Sequence, residues 1–155
     1  NIPVVLVGGS CVAIYATEQY TTKDLDFIEL AYTRRSQLKE ALASVGFTEH
    51  ATGKYFTHPE TDYFIEFPSG PLSIGGEPVP LLEEMATSTG TLKLLSPTDC
   101  IKDRLAAFYY WNDQQSLQQA LAVARQCAFD LQAIRDWSAR EGMQEKFSQF
   151  EGGLP

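Results

Sequence analysis

Hydrophobic and polar positions along this chain predict strands in its first part and helices in its last part. A short apolar run, Val4–Val7, meets Gly8-Gly9-Ser10, and apolar side chains then recur at helical spacing as far as Thr17. The segment Asp24–Phe27 alternates polar with apolar side chains, as a strand with one buried face does. We therefore expect a strand, a glycine turn and a helix, followed by a second strand.

Two later segments add a helix and a hairpin. The spacing of apolar residues in Arg34–Val45 predicts an amphipathic helix whose inward side consists of Leu38, Ala41, Leu42 and Val45. Lys54–Thr57 and Asp62–Phe67 have the pattern of two paired strands, and Pro59 between them presets φ for a turn. These segments place a β-hairpin after the second helix.

The predicted secondary structure becomes less regular after the hairpin. Proline and glycine are frequent from Pro68 to Gly90, which predicts mostly loops and short strands. A helix is then predicted over about Pro97–Tyr110, because Ser96 is a good N-cap, Pro97 suits the first turn and Asp99 can close a capping box. The inward side of this helix is expected to carry Ile101, Leu105, Phe108 and Tyr109.

The end of the chain is predicted to be helical. Two more helices are expected over about Gln114–Cys127 and Asp130–Glu141, and the tail Gly142–Pro155 is expected to end loosely. The whole pattern predicts an α/β (α+β) protein in one compact unit. Residues 1–95 would form a core built on a mixed sheet with flanking helices, and residues 96–155 a helical part packed on that core.

The glycine turn is a candidate anion site. Gly8 and Gly9 permit positive φ and a close approach of a ligand, because neither carries a Cβ. Ser10 is a good N-cap for the following helix, whose free N–H groups and dipole favour an anion. A tight turn without a ligand is the more common use of such a sequence, so this signal is weak by itself.

The two carboxylates of the second strand are a stronger signal. Residues two apart in a strand face the same way, so Asp24 and Asp26 project together about 6–7 Å apart, while Leu25 and Phe27 face the core. Neighbouring carboxylates repel each other and are tolerated when a cation or water lies between them. Mg²⁺ suits such oxygen ligands. A solvated strand face is the alternative, and the upstream glycine turn favours the metal.

These residues together resemble a known superfamily. Gly8-Gly9-Ser10, thirteen further residues and then Asp24-Leu25-Asp26 are similar to the signature of the nucleotidyltransferases of the polymerase-beta-like superfamily. The likeness is greatest to small bacterial minimal nucleotidyltransferases and to toxin-type members of toxin–antitoxin and abortive-infection systems. It covers about the first fifth of the chain, with a weaker likeness in the Ser96–Asp99 helix start and the helices after it.

The resemblance implies a role for each of these residues. Gly8, Gly9 and Ser10 would hold the triphosphate of a nucleotide, and the paired acids would bind Mg²⁺, with Mn²⁺ as a substitute. A third acid is implied on a later strand. Glu66 lies between apolar neighbours on the hairpin and matches it best, as a metal ligand and as a base; the fallback is Asp62, and the alternative for Glu66 is an ordinary surface residue.

Basic residues are the less certain part of this site. Lys102 and Arg104 on the predicted helix could place positive charge near the triphosphate, although two surface charges on an amphipathic helix are an equal alternative. Relatives often carry an arginine shortly before the paired acids, where this chain has only Lys23. Because Lys23 alternates with Asp24, we expect it to point away from the metal. The cluster Arg34, Arg35 and Lys39 is interpreted as a solvated helix face, with guidance of a phosphate or tRNA end as the alternative.

Composition and net charge limit the classes of binding partner that we expect for this protein. The chain has 155 residues and a formal net charge of −8, so its surface repels polyanions and broad nucleic-acid binding is not expected. No apolar run is long enough to span a membrane and no signal peptide is visible, although the chain opens directly on a strand and its N-terminus could be truncated. Its three scattered cysteines fit reduced thiols and a cytoplasmic location.

The sequence therefore supports two hypotheses about function. In the first, the protein is an enzyme that transfers a nucleoside monophosphate from an NTP to an unidentified acceptor, which could be a tRNA end, a protein or a small molecule, in a setting that includes toxin–antitoxin systems. In the second, the fold is kept but catalysis is lost, and the protein acts as a nucleotide-binding or protein-interaction module with a cognate partner. Tyr109, Tyr110 and Trp111 could form such a partner surface, although packing within the helical part is the favoured interpretation.

Overall fold

The computed structural model describes residues 2–155 and contains a mixed β-sheet with helices on its faces. The strands are β1 Val4–Val7, β2 Asp24–Glu29, β3 Thr48–Glu49, β4 Tyr55–His58, β5 Thr61–Glu66, β6 Ser73–Ile74, β7 Glu77–Pro78, β8 Leu82–Thr87 and β9 Gly90–Leu95. The helices are α1 Gly8–Tyr15, α2 Arg35–Ala43, α3 Pro97–Trp111, α4 Gln114–Gln126, α5 Leu131–Arg140 and α6 Gln144–Gly152. The predicted α+β class is confirmed.

The main sheet has seven strands in the order β3-β4-β5-β2-β1-β9-β8. β2 lies at its centre, antiparallel to β1 and parallel to β5. The short strands β6 and β7 form a separate two-stranded hairpin. The register of this sheet brings the start of β2, the end of β5 and the end of β1 to one place, because Asp26 of β2 is paired with Glu66 of β5 on one side and with Val7 of β1 on the other.

The two faces of β2 have different surroundings. Leu25 and Phe27 pack against a small cluster made by Leu38 of α2 with Phe56 and Ile65 of the hairpin strands. Since neighbouring residues of a strand point to opposite faces, Asp24 and Asp26 lie on the other face, on the side of α1. The expected inward orientation of Leu25 and Phe27 is confirmed.

The helical part holds most of the large core. Ile101, Leu105, Phe108 and Tyr109 of α3 are all buried, as their spacing predicts, and each contributes about 1.5–3 kcal/mol through burial. The start of α3 is capped as expected: the Ser96 hydroxyl accepts a hydrogen bond from the backbone N–H of Asp99 at 3.1 Å. None of the helices within residues 2–155 is long and apolar enough to cross a membrane.

The expectation of a loose C-terminal tail is wrong. Residues Gln144–Gly152 form α6, whose Phe147 and Phe150 are buried in the main core. The pattern was hard to recognise because only these two large apolar residues mark the inward side of a polar segment. Their contacts with α4 and α5, rather than helix propensity, stabilise this last helix.

Two other expectations need correction. In α2 only Leu38 is fully buried and Ala41 is exposed, because the helix lies near the edge of the sheet and covers a narrow strip of it. Val45 lies beyond the end of the helix and is also exposed. Between Pro68 and Gly90 the chain is more regular than predicted. β8 is a six-residue strand, and β9, which starts at Gly90, inserts between β8 and β1 in the sheet.

Two side chains of the basic cluster on α2 form ion pairs with a neighbouring acid. Arg35 lies 2.8 Å from a carboxylate oxygen of Glu49 on β3, and Lys39 pairs with the other oxygen of the same side chain. These side chains are partly exposed, which agrees with the interpretation of a solvated helix face. The single negative charge of Glu49 thus compensates one of the three positive charges of the cluster.

Candidate active site

Gly8 stands where β1 turns into α1. Its φ is +65°, in the left-handed region that side chains with a Cβ rarely adopt. A Cβ at this position would also lie 2.5 Å from Oδ2 of Asp26, which is closer than atoms can approach. Glycine is therefore required both for the turn and for the room that the Asp26 carboxylate occupies. Gly9 does not share the positive φ expected of it, but a Cβ there would lie 2.9 Å from the hydroxyl of Tyr20.

Ser10 does not cap the helix, contrary to expectation. α1 begins at Gly8, so Ser10 lies inside the first turn, where it is 2% exposed. Its hydroxyl donates a hydrogen bond to the carbonyl oxygen of Val7 at 2.7 Å and accepts one from the backbone N–H of Asp26 at 3.3 Å. Ser10 thus joins the start of α1 to the strand that carries the acids.

Three carboxylates meet on the face of β2 and β5 that is opposite Leu25 and Phe27. Asp24 and Asp26 project from β2, and Asp26 is paired in register with Glu66 on the parallel strand β5. One carboxylate oxygen from each of the three side chains lies within 4.8 Å of the other two. We call Asp24, Asp26 and Glu66 the acid triad. The structure thus brings together the three residues that the sequence pointed to, which lie on two strands separated along the chain by α2, β3 and β4.

The charges of the acid triad are poorly compensated by the protein. Burial, followed by the neighbouring Asp24 and Glu66 carboxylates, raises the pKa of Asp26 to about 6. Burial and Glu66 also raise the pKa of Asp24. The Oδ1 atom of Asp24 is buried and has no hydrogen-bond partner within residues 2–155. An ionised buried oxygen without a partner is costly, and a hard divalent cation would satisfy all three carboxylates. The donor set therefore fits Mg²⁺ or Mn²⁺.

Arg104 of α3 acts electrostatically on the acid triad. It lowers the pKa of Asp26, whereas its neighbour Asp103 raises that pKa, so both side chains lie within electrostatic reach of the acids. The Arg104 guanidinium donates two hydrogen bonds to Oδ2 of Asp103, at 2.9 and 2.6 Å, and one to the buried Gln119 at 3.4 Å. These partners orient Arg104, a cation that lowers the pKa of Asp26.

Lys102 lies on a different side of α3. Residues two apart in a helix point about 200° away from each other, since 3.6 residues complete a turn. Lys102 accordingly contacts Asp99, with its Nζ atom 3.3 Å from Oδ1, and lines a cleft that also contains Glu77 and Arg140. Its predicted contact with a nucleotide stays a prediction.

The remaining charged candidates lie outside the acid triad. Lys23 pairs with Asp62, and both side chains are mostly exposed. Lys23 therefore forms its ion pair with an acid outside the acid triad, and its orientation away from the triad stays a prediction. Asp62, the fallback for the third acid, occupies the turn end of β5, whereas Glu66 lies at the opposite end beside Asp26.

Sequence reasoning did not identify three neighbours of this site. Tyr20 packs beside Gly9, while Asp103 and Gln119 orient Arg104. Asp103 could have been considered because it is adjacent to Arg104 in the chain. Tyr20 and Gln119 carry no local signal, because their roles depend on how α1 and α4 pack against β2 and α3.

Comparisons with known proteins bear on the fold. No protein-family model matches this sequence, and no curated protein matches it. Among solved structures, an antigenic nucleotidyltransferase-like protein from Paracoccidioides brasiliensis has a TM-score of 0.62 with 10% sequence identity, over 99% of this chain and 86% of that one. The antibiotic-resistance factor ANT(2″)-Ia has a TM-score of 0.49 with 15% identity, over 96% of this chain and 89% of that one.

The fold is therefore that of the nucleotidyltransferases. This agrees with the superfamily that the glycine turn and the paired aspartates resemble. The toxin-type subclass stays a prediction, because neither matched structure bears on it.

Proposed function

We propose that this protein is a metal-dependent nucleotidyltransferase that moves a nucleoside monophosphate from an NTP to an acceptor hydroxyl. The observation that carries the proposal is the convergence of Asp24, Asp26 and Glu66 within 4.8 Å, directly beside the glycine turn Gly8–Ser10. Fold likeness supports the same reaction class. Catalysis of this kind depends mainly on positioning and on electrostatic stabilisation.

The carboxylates would hold Mg²⁺, with Mn²⁺ as a substitute. When bound, the metal would supply positive charge to the triphosphate and to the attacking oxygen. Asp24 and Asp26 are held rigidly for this role by the pairing of β2 with β1 and β5. Gly8 leaves room for the Asp26 carboxylate, and the N-terminal turn of α1, including Gly9 and Ser10, offers backbone N–H groups to the phosphates.

The reaction itself is a displacement at phosphorus. The acceptor hydroxyl oxygen forms a bond to the α-phosphorus, the bond from that phosphorus to the bridging oxygen of the β-phosphate breaks, and pyrophosphate leaves. Glu66 accepts the hydroxyl proton. Arg104, fixed by Asp103 and Gln119, contributes positive charge on the α3 side of the acid triad, where it offsets the charge of the leaving phosphates.

Calorimetric titration of each NTP with and without Mg²⁺ tests the first step of this proposal. We expect Mg²⁺-dependent binding to the wild type and its loss in Asp26→Asn. Asp62→Asn is the matched control, because Asp62 is an exposed carboxylate on the same strand as Glu66 but outside the acid triad. Absence of NTP binding in the wild type, or equal binding in Asp26→Asn, would contradict the proposal.

Transfer is then measured with NTPs labelled at the α-phosphate. The acceptor panel contains bulk tRNA, a protein extract and small polyhydroxylated compounds, and pyrophosphate release is followed in parallel. We expect label to move to one class in the wild type and not in Asp26→Asn. NTP binding without transfer or pyrophosphate release would favour the non-catalytic nucleotide-binding module instead. In the toxin-type setting, expression of the wild type should slow growth and Asp26→Asn should relieve the effect.

A further inference from the structure

The face of the sheet that carries the acid triad continues onto the hairpin strands β4 and β5. Asp26 is in register with Glu66 on β5, and Glu66 is in register with Tyr55 on β4. Residues in register on neighbouring strands project to the same face of a sheet, with Cβ atoms about 5 Å apart. Tyr55 is therefore a side-chain neighbour of the third acid of the triad.

A second row of side chains lies beside the first one on this face. Asp24 is in register with Phe64 on β5, and Phe64 is in register with Thr57 on β4. The rings of Tyr55 and Phe64 have their centroids 5.5 Å apart, with 60° between their planes. His50, directly after β3, stacks on the Tyr55 ring with centroids 4.4 Å apart. An aromatic surface thus adjoins the acids on the side of β2 that is away from β1.

These hairpin side chains line a cleft of about 580 Å³, which we call the β4–β5 cleft. Glu66 lines it at one end and is also a member of the acid triad, so the cleft and the triad share a residue. Tyr55, Thr57 and Phe64 line its middle and are half-buried, while Asp62 lies at the turn end of the hairpin. The volume lies within the range of about 300–1,000 Å³ that is usual for small-molecule sites.

The position of this cleft relative to the glycine turn suits the two sides of a displacement at phosphorus. In the sheet, β2 lies between β5 and β1, and the glycine turn follows β1. In the proposed reaction the phosphates lie at the glycine turn, so the leaving group departs on the β1 side. The attacking and leaving oxygens lie roughly in line through the phosphorus. The acceptor hydroxyl therefore has to arrive from the β5 side, where Glu66 lines the cleft.

The side chains of the cleft indicate which kind of acceptor fits it. Aromatic rings favour flat or apolar ring surfaces, and they also attract positive charge. Among the lining residues, all of which lie within the described range 2–155, there is no lysine or arginine. The charge of Lys23, which contacts the turn end, is balanced by its ion pair with Asp62. A phosphate group in the cleft would therefore meet carboxylates without a cation to bind it.

We infer that the β4–β5 cleft is the acceptor subsite, and that the acceptor is a small hydroxylated ring compound without a phosphate group. Its ring packs on Tyr55 and Phe64, and its hydroxyl lies at Glu66. Glu66 accepts the hydroxyl proton as the oxygen bonds to the α-phosphorus and pyrophosphate leaves. This inference rests on the proposed function and adds the class of acceptor and the residues that select it.

The acceptor class is tested with ATP labelled at the α-phosphate and a cell extract that dialysis divides into small molecules and macromolecules. We expect the wild type with Mg²⁺ to label the small-molecule fraction, and Asp26→Asn to label neither fraction. Treatment of the small molecules with a phosphatase, which is removed before ATP is added, should leave their acceptor activity unchanged. Label on RNA or protein instead, or loss of acceptor activity after the phosphatase, would overturn the inference while the proposed function stands.

Substitutions within the cleft test the residues. Tyr55→Ala removes a ring and Thr57→Trp fills the middle of the cleft, so each should raise the half-saturating concentration of the small-molecule fraction at least about fivefold, in keeping with the loss of one aromatic contact. The KM for ATP should stay unchanged, which also shows that the variants are folded. Tyr55→Phe keeps the ring and should behave nearly as the wild type. Tyr32→Ala is the control, because Tyr32 is 92% exposed and lies outside the cleft.

The outcomes separate this inference from the proposed function. If Tyr55→Ala and Thr57→Trp transfer the label as well as the wild type does, the acceptor binds elsewhere and the inference is overturned while the proposed function stands. An equal rise in the KM for ATP would overturn it too, since the residues would then act on the nucleotide. If the wild type labels neither fraction, the proposed transfer reaction fails and the inference fails with it.

Discussion

The Asp26 carboxylate lies where a side chain on residue 8 would be, since a Cβ on Gly8 would lie 2.5 Å from Oδ2 of Asp26. The glycine turn and the acidic strand are thus parts of one arrangement. The turn brings the backbone of Gly8 close to the Asp26 carboxylate, and the carboxylate fits there because Gly8 has no side chain. This relationship explains why the two motifs occur together in the chain, and it can be tested by substitution.

Gly8→Ala should be more damaging than a glycine substitution elsewhere with similar backbone geometry. Gly53→Ala is the matched control, since Gly53 has φ +71° and a Cβ on it would have no other atom within 4 Å. The control should lose about 1–2 kcal/mol of unfolding free energy from left-handed strain alone. Gly8→Ala adds the clash with Asp26, so it should lose more stability in urea unfolding and also lose Mg²⁺-dependent NTP binding. Equal losses in both variants would contradict this account.

The raised pKa of Asp26 predicts a pH-dependent stability difference between the wild type and Asp26→Asn in metal-free buffer. The folded protein holds the Asp26 proton up to a pKa of about 6, while the unfolded chain releases it near 3.8. The wild type therefore loses stability as the pH rises through this range, and the loss is complete above pH 6. Asp26→Asn lacks that loss, so its stability relative to the wild type should increase between pH 4 and pH 7 by about 1–2 kcal/mol after allowance for solvent screening.

Urea unfolding at the two pH values in the presence of EDTA measures this difference. Asp62→Asn should behave in the opposite way, because Lys23 lowers the pKa of Asp62. The contribution of Asp62 is present at neutral pH and is lost as the pH falls. If the difference in unfolding free energy between the wild type and Asp26→Asn is the same at pH 4 and pH 7, the pKa of Asp26 is not raised in the folded protein.

Ser10→Ala should destabilise the protein more than the loss of a single surface hydroxyl. Its hydroxyl satisfies both Val7 and the backbone N–H of Asp26 in a buried position, so its removal leaves buried groups unpaired at a cost of about 1–3 kcal/mol. Ser44→Ala is the control, because the Ser44 hydroxyl makes one exposed hydrogen bond to the carbonyl oxygen of Ala41. Ser10→Ala should also weaken NTP binding. Identical unfolding curves for the two variants would argue against a linking role for Ser10.

Arg104→Ala should weaken Mg²⁺-NTP binding more than Lys102→Ala. Arg104 lies within electrostatic reach of Asp26, whereas Lys102 is on the other side of α3 against Asp99. Both ion pairs are largely buried, so each variant should lose roughly 2 kcal/mol or more of stability, and stability alone does not separate them. The two variants are instead distinguished by the ratio of their dissociation constants for Mg²⁺-ATP. An equal or larger effect of Lys102→Ala would show that Arg104 does not make the cationic contact with the nucleotide.

Some features could be predicted from local sequence because local physics decides them. The alternation around Leu25 and Phe27 sets which face of β2 carries Asp24 and Asp26, whatever the rest of the chain does. The Ser96 cap, the buried row along α3 and the hairpin that carries Glu66 follow from equally local rules. Errors arose where an element is held by distant contacts. α6 exists because Phe147 and Phe150 meet other helices, and Ser10 has hydrogen-bond partners on β1 and β2 instead of the helix start.

By itself, the sequence determined that a glycine turn precedes two carboxylates on one strand face, because residue type and a two-residue period are sufficient for that. Only the tertiary structure decided that Glu66 completes the group, through the parallel pairing of β5 with β2. It also decided that Arg104 lies within electrostatic reach of Asp26, whereas Lys102 contacts Asp99. Strand order and helix packing depend on how buried surfaces fit together over long separations in the chain, and no short pattern encodes that fit.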